Sequence, residues 1–342
     1  MKVVFSEDHR LHFPQGELNF GQFVTPFERP SRMEYIVQRL RERGFTDIAA
    51  PDAFDEGAAL RVHDSGFVTF LKTAWGEWVT SGARGEIIPS GFAARRMRLR
   101  VPNHIDGKAG YYALATETAI TAGTWAAAQA SAAVAQTAQR RVAKGERAVF
   151  ALCRPPGHHA ALDMYGGYCF LNNAAIAAQM FIDQGAWRVA ILDVDFHHGN
   201  GTQDIFYRRK DVLFLSLHGQ PEDAYPYFLG YADETGEGDG EGFNVNYPMP
   251  SGTQFDAWGA ALEDACQRIV DYGPDALVLS LGVDTYKEDP ISFFKLESED
   301  FRTYGARVEK LKLPTLIVME GGYAIEAIGL NTVNVLEGFL GD

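Results

Sequence analysis

Residues 193–202 read DVDFHHGNGT and follow directly on the apolar run RVAIL, so two carboxylates and two imidazoles gather where a buried strand should end. In extended backbone, side chains at 193, 195 and 197 share one face. Asp195 and His197 can therefore reach one ion together, with Asp284 arriving from a neighbouring strand as a third donor. Two carboxylates and one imidazole suit a borderline divalent ion such as Zn²⁺, and also accommodate Fe²⁺ or Co²⁺. Three protein ligands leave a position open, which marks a catalytic site rather than a structural one. Nearby polar groups add acid–base chemistry. RPPGHHA carries His158 and His159 after a rigid Pro-Pro-Gly turn, and a histidine pair beside a metal reads as proton-transfer machinery. Tyr323, in GGYA, has the flexible backbone that lets a phenol swing toward the ion.

These groups need a scaffold that brings five chain segments to one place. Short, near-continuous apolar runs recur along the chain: KVVF, RAVFALC, RVAILDV, VLFLSLH, ALVLSLG and PTLIVME. Such runs are expected of strands in a parallel sheet covered on both faces. Between them lie helical patterns, such as NNAAIAAQMFIDQG with Asn172 or Asn173 as start cap and Gly185 as stop, and the alanine-rich segment 116–142. The alternation predicts a single α/β domain over residues 1–342, with a central parallel sheet and helices on both faces. In such sheets ligands bind at the carboxyl ends of strands. Each polar cluster, including His218 and the pair Asp284 and Asp289, closes or follows an apolar run, so all converge on one crevice. Residues 82–112 lack periodicity and are expected to be a long loop insertion with an interface or gating role. GEGDGEGFN, at 236–244, neither follows a clear strand nor opens a helix and is expected to be a turn rather than a nucleotide loop.

The 342 residues carry a formal charge of −14, which disfavours nucleic acid and anionic membranes and favours a cationic substrate. Three scattered cysteines, Cys153, Cys169 and Cys266, without a CxxC, fit a reducing compartment. MKVVFSEDHR meets acidic residues too soon for a signal peptide, and no run approaches the roughly 20 apolar residues of a membrane span. A soluble, cytoplasmic protein is expected.

Taken in order, RPPGHHA, GGYCFLNNAA, DVDFHHGNGTQDIF, LSLGVDTYKEDP and MEGGYA resemble the histone deacetylase superfamily of arginase-like metallohydrolases, over roughly residues 150–325. The amino-terminal VVFSEDHRLH, GELNFG and the Arg-rich loop are more similar to bacterial acetylpolyamine amidohydrolases than to lysine deacetylases. The resemblance implies one catalytic Zn²⁺ on Asp195, His197 and Asp284, His158 and His159 as the tandem histidines, and Tyr323 as oxyanion donor. It implies Gly167, Tyr168 and Tyr225 as walls of a narrow tunnel. Asp193, Asp195, His197, Ser216 and Leu217 match the family's structural K⁺ or Na⁺ site. Carboxylates near the mouth should attract a small cationic acetylamine, and Glu17, Asp106 and Glu117 are the candidates. The 82–112 loop is expected to form a homodimer contact.

Two departures matter. HHGNG stands where many class I deacetylases read HHGDG, so Asn200 replaces a carboxylate behind His159 and leaves that imidazole a readier base. Gly282 occupies the position where arginases carry another carboxylate, so one metal is expected rather than two. The function implied is hydrolysis of acetylated polyamines. Deacetylation of lysine in peptides or proteins is the alternative, and a non-catalytic acyl-amine binder would not need the acid–base pair.

Overall fold

The computed structural model describes residues 1–94 and 98–341. The apolar runs become strands because their successive side chains alternate between two covered faces. In β6 (Val189–Asp193), Val189 and Ile191 pack into one hydrophobic layer while Ala190 and Leu192 pack into the other. The same alternation holds in β5 (Ala148–Ala151), β7 (Val212–Gly219), β9 (Ala276–Leu281) and β10 (Thr315–Met319). With β1 (Lys2–Val4), β4 (Ile48–Ala49) and β8 (Asn244–Met249), these form an eight-stranded sheet among the described residues, ordered β4-β1-β5-β10-β9-β6-β7-β8. Every neighbouring pair in it is parallel. A separate hairpin, β2 (Glu17–Asn19) and β3 (Gln22–Val24), lies outside the sheet.

One layer is closed by α3 (Ser65–Thr80), α5 (Thr124–Ala143) and α6 (Asn173–Asp183), and the other by α1 (Ser31–Glu42), α8 (Phe255–Tyr272), α9 (Ser298–Glu309) and α10 (Ile325–Leu340). The short α2 (Glu56–Ala59) and α7 (Asn200–Phe206) fill connections. The Asn172 side chain accepts from the Ala175 amide at 2.9 Å and starts α6 as its sequence indicates. No helix among the described residues is long and apolar enough to cross a membrane.

Two expectations need correction. The alanine-rich helix begins only at Thr124, because Ile120 is held in an extended bridge to Ile87 that the repeating alanines do not reveal. The 82–112 segment contains a helix, α4 (Ile105–Tyr112), started by the His104 side chain accepting from the Asp106 amide; its two glycines blur the apolar period. Residues 95–97 of that expected loop lie outside the described residues. GEGDGEGFN is turn and a single 3₁₀ turn, as expected, up to Asn244, which opens β8.

The topology places the chemistry. The chain crosses from β5 to β6, winds outward through β7 and β8, then returns to lay β9 and β10 into the gap. The loops after β5, β10, β9 and β6 therefore meet at one end of the sheet, where the strand order reverses.

Candidate metal and acid–base site

Asp195 and His197 sit just beyond β6, and Asp284 just beyond β9. Ligand atoms of the three lie within 4.8 Å of one another, all buried. His197 Nδ1 stands 3.0 Å from Asp284 Oδ2 and 3.3 Å from Asp195 Oδ1. Backbone amides fix both carboxylates: Gly321 donates to Asp195 Oδ2 at 2.8 Å and Phe196 to Asp284 Oδ1 at 2.8 Å. Burial opposes a charge on His197, but the hydrogen-bonding carboxylates outweigh it and raise it to about 10. Burial and the charge of Asp195 together push Asp284 up to about 8. Two buried carboxylates this close demand positive charge between them, and the donor set fits a divalent cation. At Gly282 an added Cβ would fall 2.1 Å from Asp195 Oδ2, so no second carboxylate fits there.

The tandem histidines are pushed in opposite directions. His158 Nδ1 lies 3.0 Å from Asp193 Oδ2. Burial opposes its charge, yet Asp195 and Asp193 prevail and raise it to about 10. His159 has only the neutral Asn200 behind it, with Nδ1 donating to Oδ1 at 2.6 Å. Burial first, then the charges of His158 and His197, hold it well below the ordinary histidine range. That hydrogen bond leaves Nε2 bare, and the two imidazoles, shifted in opposite directions, stand with ring centroids 4.1 Å apart.

Above them opens a cleft of about 530 Å³. Tyr225 meets His159 edge-on at 5.0 Å, and Tyr168 meets Tyr323 at 5.6 Å. Tyr168 adopts φ 66°, a left-handed conformation costing about 1–3 kcal/mol in a non-glycine residue and kept where surroundings enforce it. Its hydroxyl donates to Glu17 Oε1 at 3.1 Å. Burial raises Glu17 to about 7. Glu117 accepts from the Gly167 amide at 2.7 Å. Glu17, Glu117, Gly167, Tyr168, Tyr225 and Tyr323 all line the cleft, joined by Asp223. No lysine or arginine does so among the described residues. Asp106 does not line this cleft; it lies on α4 and accepts from Ser90 at 2.6 Å. Asp193 and Ser216 are register partners across β6 and β7, with Leu217 next along β7.

Other groups escaped sequence reasoning. Glu320, fully buried, accepts from the amides of Gly157 at 2.7 Å and His158 at 3.2 Å, which anchors the histidine turn; burial raises it to about 7. MEGGYA contains it, but nothing local reveals its distant partners. Arg32 donates to the carbonyls of Gly322 at 2.7 Å and Glu320 at 2.5 Å and sits 4.9 Å from the Tyr323 ring centroid. Glu28 binds both Arg32 and Arg154. His198 packs 4.6 Å from the His218 ring and shares a hydrogen bond with Gln203, which gives it a structural place.

The family model described as Histone deacetylase domain matches residues 26–339. Acetylpolyamine amidohydrolase 1 of Pseudomonas aeruginosa is 57% identical over 343 residues, covering 100% of this chain and 99% of that protein. Acetylpolyamine amidohydrolase of Mycoplana ramosa is 54% identical over 341 residues and covers 100% of both. The crystal structure of acetylpolyamine aminohydrolase from Burkholderia pseudomallei superposes with a TM-score of 0.94 at 40% identity, covering 99% of this chain and 98% of that one.

Proposed function

The chain belongs to the histone deacetylase family, a family of hydrolytic enzymes, and we propose that it hydrolyses the acetyl amide of acetylated polyamines such as acetylputrescine, acetylcadaverine and acetylspermidine, releasing acetate and the free amine. The observation that carries this reading is the cleft itself: aromatic walls, Glu17, Glu117 and Asp223 along it, no lysine or arginine among its described lining residues, and His159, His197 and Tyr323 among the groups that line it. A flexible acetylated arm with an ammonium beyond the amide matches that pattern in shape and charge. Relatives similar over their whole length bear acetylpolyamine amidohydrolase names, which supports the same substrate class.

Asp195, His197 and Asp284 would hold one Zn²⁺, with Fe²⁺ or Co²⁺ as substitutes; bound there, the ion supplies polarisation of the amide carbonyl and a more acidic water. The chain's own groups do the rest. His159, neutral with Nε2 bare, takes the proton of the attacking water. The Tyr323 hydroxyl donates to the oxyanion that develops on the carbonyl oxygen. The His158 imidazolium, fixed by Asp193, adds positive charge beside that centre. His159 then returns its proton to the leaving amine. Asp193, Asp195, His197, Ser216 and Leu217 would hold a structural K⁺ or Na⁺. Exposed Phe92, Leu99 and Val101 suit the 82–112 segment to pairing two copies of the chain, which sedimentation would test.

The deciding experiment compares kcat/KM for the acetylpolyamines with that for acetyl-lysine peptides. Preference for the acetylpolyamines is expected. Equal or reversed preference overturns the polyamine reading in favour of lysine deacetylation.

A further inference from the structure

Tyr323 follows two glycines, and Gly322 has φ 126°, a conformation that leaves the backbone before the phenol without intrinsic restraint. Something outside the segment must fix it. The helix that follows, α10, is capped by Ala324, which has no side chain to accept from its first amides. The carboxylate of Asp289 fills both gaps. Its Oδ2 accepts from the Tyr323 amide at 2.7 Å and the Ala324 amide at 3.3 Å. Its Oδ1 accepts from the Ile291 amide at 3.1 Å. Asp289 is 7% exposed and has no arginine or lysine partner among the described contacts, so its bonds run to backbone amides. An acidic group at a helix amino terminus is also favoured by the helix dipole.

The placement of Asp289 gives these bonds their meaning. It lies five residues beyond Asp284 on the loop that follows β9, and Ile291, which it clamps, lines the cleft. One carboxylate therefore ties the loop of a candidate metal ligand, the segment bearing the phenol and a wall of the cleft. Arg32 grips the same segment from its carbonyls, at Glu320 and Gly322, while Asp289 grips it from its amides.

We propose that Asp289 is a positioning residue that sets the Tyr323 hydroxyl against the carbonyl held at Asp195, His197 and Asp284. It touches neither substrate nor ion and acts only through Tyr323. The proposal rests on the deacetylase reading above, with Tyr323 as oxyanion donor.

The test is a double-mutant cycle on acetylputrescine hydrolysis, using D289A, D289N, Y323F, D289A/Y323F and D289N/Y323F in the metal-loaded enzyme. D289A is expected to lower kcat by about 10²-fold with KM little changed, as a displacement near 1 Å does in a preorganised site. D289N keeps an acceptor for the Tyr323 amide and is expected to recover part of that loss. In the Y323F background the Asp289 substitutions should have almost no further effect on kcat, because the group they position is already gone. Melting temperature and metal content are measured on every variant, and if D289A does not fold the D289N cycle decides. A loss that multiplies fully with that of Y323F overturns the positioning role and leaves the deacetylase reading intact. Wild-type turnover in Y323F overturns the positioning role together with Tyr323 as oxyanion donor, whereas no hydrolysis of acetylputrescine by the wild-type protein overturns the deacetylase reading itself.

Discussion

Glu17 offers the sharpest test of why a charged cleft should select a cationic substrate. The carboxylate is 3% exposed, bonded to the Tyr168 hydroxyl and the Phe27 amide, and raised to about 7 by burial. Above that value it is anionic and can pair with a substrate ammonium; below it the group is a neutral acid and cannot. A buried hydrogen bond to a charged group contributes about 1.5–3 kcal/mol, or roughly 10–100-fold in kcat/KM at about 1.4 kcal/mol per factor of ten. The expected perturbation by E17Q is therefore a loss of that size for acetylputrescine at pH 8, with little effect on a neutral isostere such as N-pentylacetamide.

The pH dependence carries the mechanism. Between pH 6 and pH 8 the ionised fraction of a group titrating near 7 rises about tenfold. His159 and any bound ion also titrate, but they act on both substrates alike. The ratio of kcat/KM for acetylputrescine to that for N-pentylacetamide cancels those shared contributions. In the wild-type protein that ratio should climb about tenfold from pH 6 to pH 8, and in E17Q it should be low and flat. An E17Q protein that keeps the full preference, or a wild-type ratio that falls as pH rises, would refute the assignment of Glu17 to the ammonium.

Dialysis against a chelator should abolish turnover, and Zn²⁺, Co²⁺ or Fe²⁺ should restore it; activity indifferent to chelation would remove Asp195, His197 and Asp284 from a metal role. Y323F should reduce kcat by about 10²–10³-fold with an unchanged melting temperature, as loss of an oxyanion donor does, read from steady-state kinetics. N200D places an anion 2.6 Å from His159 Nδ1 and should raise that imidazole's affinity for a proton. The acidic limb of the kcat/KM profile should then move to higher pH, and an unmoved limb would rule His159 out as the base.

Six of the eight sheet strands were legible because both of their faces are covered, which leaves no polar alternation to confuse them with surface elements. The two that were not are the edge strands. β4 has two half-buried residues, and β8, NVNYPM, alternates and contains a proline that an edge tolerates. The hairpin of β2 and β3 was equally hidden, so Glu17 emerged from resemblance rather than from any pattern of its own.

The site divides along a similar physical line. Asp195, His197, Asp284 and the tandem histidines declare themselves by type, because carboxylates and imidazoles gathered at several neighbouring strand ends point to a shared chemical site. Glu320 and Asp289 are also buried and ionisable, but their partners are the amides of Gly157, His158, Tyr323 and Ala324. Every residue except proline carries such an amide, so no residue type marks where the bond will form. Glu320 reaches Gly157 across 163 positions of chain, and only the parallel sheet brings them together. Groups that bind an ion are thus written in the sequence as chemistry. Groups that aim the tyrosine and the histidine turn are written only as topology, and their effect should appear in the coupling between substitutions rather than in any single one.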